Sequence, residues 1–312
     1  MSDKALSQSR ISTYAKCQRL YEFTYDWEVN VVDEQRRYID RGNVLHSVIQ
    51  NVCNCVGRGL NLEDSEIRQL AIDLINTYWD ERMDRSEYYS DAEFEEDRLA
   101  TVARIEAFFN NGPGFEYVRN SVATELYVTL ERNGETYHGS IDNVVLDDGT
   151  LTIVDYKSSS IKPPFTKYNK KNRWIRDHLD DGYRPKRIKS AIQAALYLEA
   201  IKSDDEDNPD NPYNPEMDLE FVFYELQKSS GKTVTPRPDE ITVEVEGNER
   251  KITDNYDDQK ADVWELIEKS AAGIQAKDYE PDPFNEIYED TCPDCEYRSA
   301  CPEYLEKEMS HL

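Results

Sequence analysis

Two aspartates and a lysine stand close together in the stretch "GSIDNVVLDDGTLTIVDYKSSS", residues 139–160. Asp155 and Lys157 are two apart, so on a strand they project from one face, with Val154 and Tyr156 on the other. A hairpin turning at Asp148-Gly149 would bring Asp142 toward Asp155. Two carboxylates at that separation repel each other, and a divalent cation between them removes the repulsion. Oxygen donors that leave room for water suit Mg²⁺ or Mn²⁺. A lysine beside such an ion can orient water, help deprotonate it, or stabilise charge on a phosphoryl transition state. On these three residues alone, a salt-bridged surface hairpin is an equal reading.

A second group of residues could hold a metal. "CPDCEYRSACP" places Cys292, Cys295 and Cys301 within ten residues. Closely spaced thiols in a reducing compartment read as a metal site rather than as disulfides. Three leave a four-coordinate site one ligand short, and Cys17 is the natural fourth. Zinc and an iron–sulfur cluster both accept four thiolates. The other two cysteines, Cys53 and Cys55, lie among valines and read as small buried apolar residues.

The charge pattern marks a third region. The chain has 37 Lys and Arg against 64 Asp and Glu, a net charge of −27, and should as a whole repel nucleic acid and anionic membranes. From Lys157 to Lys189, however, 11 basic residues meet only three acids. Phe165, Tyr168, Trp174 and Tyr183 are interleaved with them. Basic side chains mixed with aromatics suit phosphate contact and base stacking on single strands. The acidic excess elsewhere fits adaptation to high salt, where long-range repulsion is screened. No stretch has the apolar length of a membrane span, and the amino-terminus lacks the apolar core of a signal peptide, so a cytoplasmic protein is expected.

The elements that must position these residues follow from periodicity. A Ser-rich start and the aromatic stripe Tyr14, Leu20, Tyr21, Tyr25 predict an amino-terminal helix. Further helices are predicted at about 41–57, 64–86 and 92–110, closed by "NNGPG". Strands are predicted at 121–131, 135–146 and 149–157 as an antiparallel meander. A helix at 188–201, strands at 218–226 and 240–247, and a helix at 257–276 complete the order. The class is mixed α/β (α+β) with an amino-terminal helical region.

Taken together, these stretches resemble the PD-(D/E)XK nuclease superfamily. The hairpin is similar to its G-x-x-D…D/E-x-K core. "LSQSRISTYAKCQRLYEF", "RGNVLHSVI" and "QAALY" are similar, in that order, to three motifs of the RecB-like branch, which includes AddB-like nucleases. The resemblance spans residues 6 to about 302 and implies a restriction-endonuclease-like core: a central mixed sheet flanked by helices. It implies one nuclease domain over 1–312, with a helical region at 1–115, a catalytic sheet and helices at 116–280, and a cysteine-bearing tail at 281–312. It implies Mg²⁺ or Mn²⁺ on His46, Asp142, Asp155 and the Tyr156 carbonyl, with Lys157 and Gln193 completing the catalytic set. Glu125 matches an acid that acts behind the metal. Cys17, Cys292, Cys295 and Cys301 would hold a [4Fe–4S] cluster, with zinc as the alternative. DNA would meet Lys162, Lys167, Lys170, Lys171, Arg173, Arg176, Lys186, Arg187 and Tyr197. The implied activity is an exonuclease on single-stranded or end-containing DNA, in repair, recombination or mobile-element processing. With no Walker A motif present, a separate helicase would supply any motor. The rival expectation is a non-catalytic iron–sulfur or zinc protein that binds nucleic acid.

Overall fold

The structure is a computed structural model. It describes residues 5–29, 36–159, 179, 188–203, 208–226, 248–251, 253–282 and 284–310. The chain opens with β1 (Leu6–Ser7) and α1 (Gln8–Lys16), whose first turn is capped by the Ser7 hydroxyl accepting from the Arg10 N–H at 3.3 Å. The expected single amino-terminal helix is in fact broken. Cys17 is fully extended (φ −166°), and after it come α2 (Gln18–Tyr21) and a π-helical turn at Glu22–Asp26. Four helices follow: α3 (Arg36–Gly57), α4 (Asp64–Arg82), α5 (Asp91–Asn111) and α6 (Gly114–Arg119). A reciprocal pair, Glu63 and Glu66, caps α4, and the Ser90 hydroxyl accepts from the Glu93 N–H at the start of α5.

The meander appears as expected: β2 (Ser121–Arg132), β3 (Glu135–Asp147) and β4 (Thr150–Lys157) are antiparallel neighbours. After α7 (Ile188–Lys202), β5 (Asp218–Glu225) joins β4 in parallel, and β6 (Asn248–Lys251) joins β5 antiparallel. β1 lies parallel to β3 at Tyr137 and His138. The sheet is therefore mixed. The expected strand at 240–247 lies outside the described residues. α8 (Thr253–Ala276) comes next, and the tail carries two unexpected helices, α9 (Phe284–Asp290) and α10 (Pro302–Ser310). Among the described residues, no helix is long and apolar enough to cross a membrane.

Two cores cover the sheet. One packs α1, α7 and α8 on Ile141, Val144, Ile153, Phe221 and Phe223. The other packs α3 to α6 on Val145, Val154, Tyr156 and Tyr224, and Trp79 is fully buried there. This is a restriction-endonuclease-like arrangement, a central mixed sheet between helical layers.

Strict alternation along a strand fails at one level. On β3, Ile141 and Val144 both face the α7 layer although they are three apart; on β2, Ala123 and Leu126 do the same. The breaks lie opposite each other, at Asp142 and at Glu125, whose φ is +49°. Thr124 still pairs with Asn143 and Leu126 with Ile141, so the register survives. Both strands change phase together, and Asp142 sits at the change.

Gly139 shows why this stretch of β3 tolerates no side chain. A Cβ there would lie 2.4 Å from Cε1 of Tyr197, whose buried ring fills the space. Gly139→Ala is expected to cost about 1–3 kcal/mol by overpacking, with most of that recovered in the Gly139→Ala/Tyr197→Leu double variant. Urea unfolding of the four members of the cycle measures it. A cost that persists when Tyr197 is shortened would place the strain elsewhere.

Candidate active site

Asp142 stands just beyond the last paired residue of β3 facing β4, where Asn143 matches Val154. Its Oδ2 accepts from the Tyr156 N–H at 2.9 Å, so the carboxylate closes the hydrogen bonding that the diverging strands give up. The same oxygen lies 3.2 Å from Nδ1 of His46, which α3 delivers from the opposite layer. Asp155 is on the next strand and only 2% exposed. Its Oδ1 lies 2.5 Å from the Lys157 ammonium, and its Oδ2 accepts from Gln193 Nε2 on α7. Lys157 Nζ also donates to Gln193 Oε1 at 3.0 Å. The structure therefore brings together five of the expected residues from four elements: His46 on α3 with Asp142 on β3, and Asp155 and Lys157 on β4 with Gln193 on α7.

The electrostatics separate the two acids. Burial pushes Asp155 up to about 6, reinforced by the Asp142 charge, against the opposing pull of Lys157 and His46. Burial acts the same way on Asp142, but His46, Lys157 and the Tyr156 amide outweigh it and hold that carboxyl below the ordinary range. Burial lowers the His46 ring, yet the two aspartates more than compensate and raise it. A divalent ion fits this donor set. His46 and Asp142 meet, Asp155 stands on the next strand, and the buried Asp155 Oδ1 has no well-directed hydrogen bond despite the nearby ammonium. Among the described residues, no three of His, Cys, Asp and Glu already surround a common point.

Other expected residues take less direct positions. Tyr156 turns its phenol to the far face, where it accepts from Asn143 Nδ2 at 3.0 Å. Tyr197 is buried beneath Gly139, beside Gln193. Glu125 is exposed and accepts from the Ser140 hydroxyl at 2.9 Å. Gly42 lies against Ser158, whose Oγ would be 3.1 Å from an added Cβ. Lys162, Lys167, Lys170, Lys171, Arg173, Arg176, Lys186 and Arg187 lie outside the described residues.

One residue that sequence reasoning missed is Arg104 on α5. It is 9% exposed, and its Nη1 donates to the carbonyls of Ser158 (2.8 Å) and Leu226 (3.1 Å). It thus ties the ends of β4 and β5 together directly after Lys157. The available signal was an arginine inside the apolar run Val102, Ala103, Ile105.

The four cysteines gather where the amino-terminal helices meet the tail. Cys17 and Cys292 share one cluster of buried residues with Leu20 and Tyr304 at its margin; Cys301 and Cys295 join an adjoining one with the same two neighbours. All are free thiols. Burial raises Cys292 to about 12, with added repulsion from Cys17, Cys295 and Cys301; burial likewise raises Cys301 to about 11. Among the described residues these thiols do not yet surround a common point. Arg19 braces the junction by pairing with Glu303, 284 residues away.

Helical layers thus flank a mixed sheet on both faces, and two acids and a lysine meet where β3 and β4 part. A sequence profile of the PD-(D/E)XK nuclease superfamily matches residues 5–302, and the chain belongs to that superfamily. Among matching chains of known structure is a protein of Eubacterium rectale provisionally described as an exonuclease. It is 16% identical, with 90% of this chain and 84% of its own covered and a TM-score of 0.44. No curated protein matches.

Proposed function

We propose that this nuclease is an exonuclease that degrades single-stranded or end-containing DNA with Mg²⁺ or Mn²⁺. His46, Asp142, Asp155 and the Tyr156 carbonyl would hold the ion. When bound, the ion supplies Lewis-acid polarisation of the scissile phosphate and a more acidic water. Lys157 holds the attacking water and steadies the charge that builds on the phosphoryl oxygens. Gln193 bridges Lys157 and Asp155 and so fixes the direction of the ammonium. Asp142 orients the His46 ring and pins the Tyr156 backbone. Cys17, Cys292, Cys295 and Cys301 would hold a [4Fe–4S] cluster that joins the two ends of the chain.

The observation that supports this reading most is the meeting of Asp142, Asp155, Lys157, His46 and Gln193 at the point where β3 and β4 part. A linear and a covalently closed single-stranded DNA, each labelled and incubated with Mn²⁺ in high KCl, test the exonuclease assignment. The linear strand should shorten from an end while the circle persists. Equal cutting of the circle would make the enzyme an endonuclease.

A further inference from the structure

α1 turns one polar face toward the start of α7. Gln8, Ser12 and Lys16 follow at four-residue intervals, which sets them along one stripe about 12 Å long at about 1.5 Å per residue. Gln8 and Ser12 are buried. Gln8 Nε2 donates to Ser12 Oγ (3.2 Å) and to the Lys189 carbonyl (3.4 Å), which fixes the stripe against the first turn of α7. Its outer end is the exposed Lys16. Lys189 is exposed too and stands one turn before Gln193 on α7, which accepts from Lys157 Nζ at 3.0 Å. Burial of its surroundings, then the Lys157 and Lys16 charges, lower its pKa, and Asp155 opposes them. The Lys16 charge also works against the burial that raises the Cys295 thiol in the tail.

The three ammonium groups repel one another, while Asp155 pairs with Lys157 and attracts Lys189. Among the described residues neither Lys16 nor Lys189 forms an ion pair, although the chain has 64 acids that could have supplied one. Such a row is favourable when a polyanion lies along it. The row begins at the candidate active site, and Lys189 is also the last basic residue of the segment that follows Lys157.

We propose that Lys16 and Lys189 form a phosphate-binding track for the substrate strand, running from Lys157 along α1 to the cysteine-bearing tail. This rests on the DNA nuclease reading above. Each lysine contacts a backbone phosphate, so the track is indifferent to base sequence. Its loss should weaken binding and leave the chemical step intact.

Anisotropy of a fluorescein-labelled oligo(dT) strand, titrated across KCl concentrations with Ca²⁺ as the only divalent ion, tests the track without relying on cleavage. Each lost phosphate contact lowers the slope of log affinity against log salt by about 0.7 on single strands, so Lys16→Gln/Lys189→Gln should lower it by about 1.4. Lys307→Gln, on α10 where the ammonium is held by Asn285 and the Tyr288 ring, should leave the slope unchanged. In steady-state cleavage with Mn²⁺, the double variant should raise KM about tenfold and keep kcat within twofold. An unchanged slope in a wild type that binds and cleaves would remove the track and leave the nuclease reading standing. An equal fall in Lys307→Gln would also remove it, by showing a general charge effect. Binding with the expected slope change but no cleavage would support the track and count against the nuclease reading.

Discussion

Asp155→Asn is expected to lower DNA cleavage at least about a thousandfold, equivalent to about 4 kcal/mol of transition-state stabilisation. The substitution keeps the shape of the side chain but removes the charge a metal needs, and its amide would face the Lys157 ammonium as a second donor. Lys157→Ala is expected to lose activity on a similar scale for a different reason. It leaves both acids in place and removes the group that Gln193 aligns. The two variants should therefore part company in thermal unfolding with Mn²⁺. A ligand at about 100 times its Kd stabilises by about 2.7 kcal/mol. Wild type should gain this, Asp155→Asn should lose it, and Lys157→Ala should keep or exceed it, because the ammonium no longer competes for Asp155. Activity within tenfold of wild type in either variant would displace these residues from the reaction.

With the proposed cluster in place, Cys17→Ser is expected to abolish its metal and to lower stability by about 2–4 kcal/mol. A cross-link between distant parts of a chain restricts the unfolded state, and loops of about 100 residues gain up to about 4.7 kcal/mol in that account. The gain here should be smaller, since α1 already packs against α7 and α8 and Arg19 pairs with Glu303. Cys53→Ser is the control. Cys53 is buried against α3's own layer, beside Asn143, and its loss should cost stability without releasing metal. Iron and zinc analysis with visible absorbance on anaerobically purified protein reads the difference. Iron retained in Cys17→Ser would exclude Cys17 as a ligand, and a colourless zinc-loaded wild type would replace the iron–sulfur assignment.

Much of the site could be read from the chain because its signals are local. Asp155 and Lys157 share a face through simple alternation, and the Asp148-Gly149 turn fixes the hairpin. The convergence of Cys17 with the tail followed from ligand arithmetic. What could not be read depends on tertiary contacts. α1 ends at Cys17 although its sequence continues as a helix, and β1 exists only because β3 offers it an edge at Tyr137 and His138. Arg104 serves two carbonyls that leave the sheet together, a role no short pattern encodes. The phase change at Asp142 was hidden as well, because a motif gives spacing along one strand and says nothing of its neighbour.

That phase change binds the histories of two strands. A single residue inserted or lost in β2 alone would turn every side chain beyond Glu125 to the wrong layer, and the same holds for β3 at Asp142. At this level matched events on both strands leave each layer with its own residues, whereas the register shift between Ser121 and Ala123 lies at the start of β2, outside the site. Any descendant of this chain must therefore inherit the two irregularities as one character, or lose both and the carboxylate's seat with them.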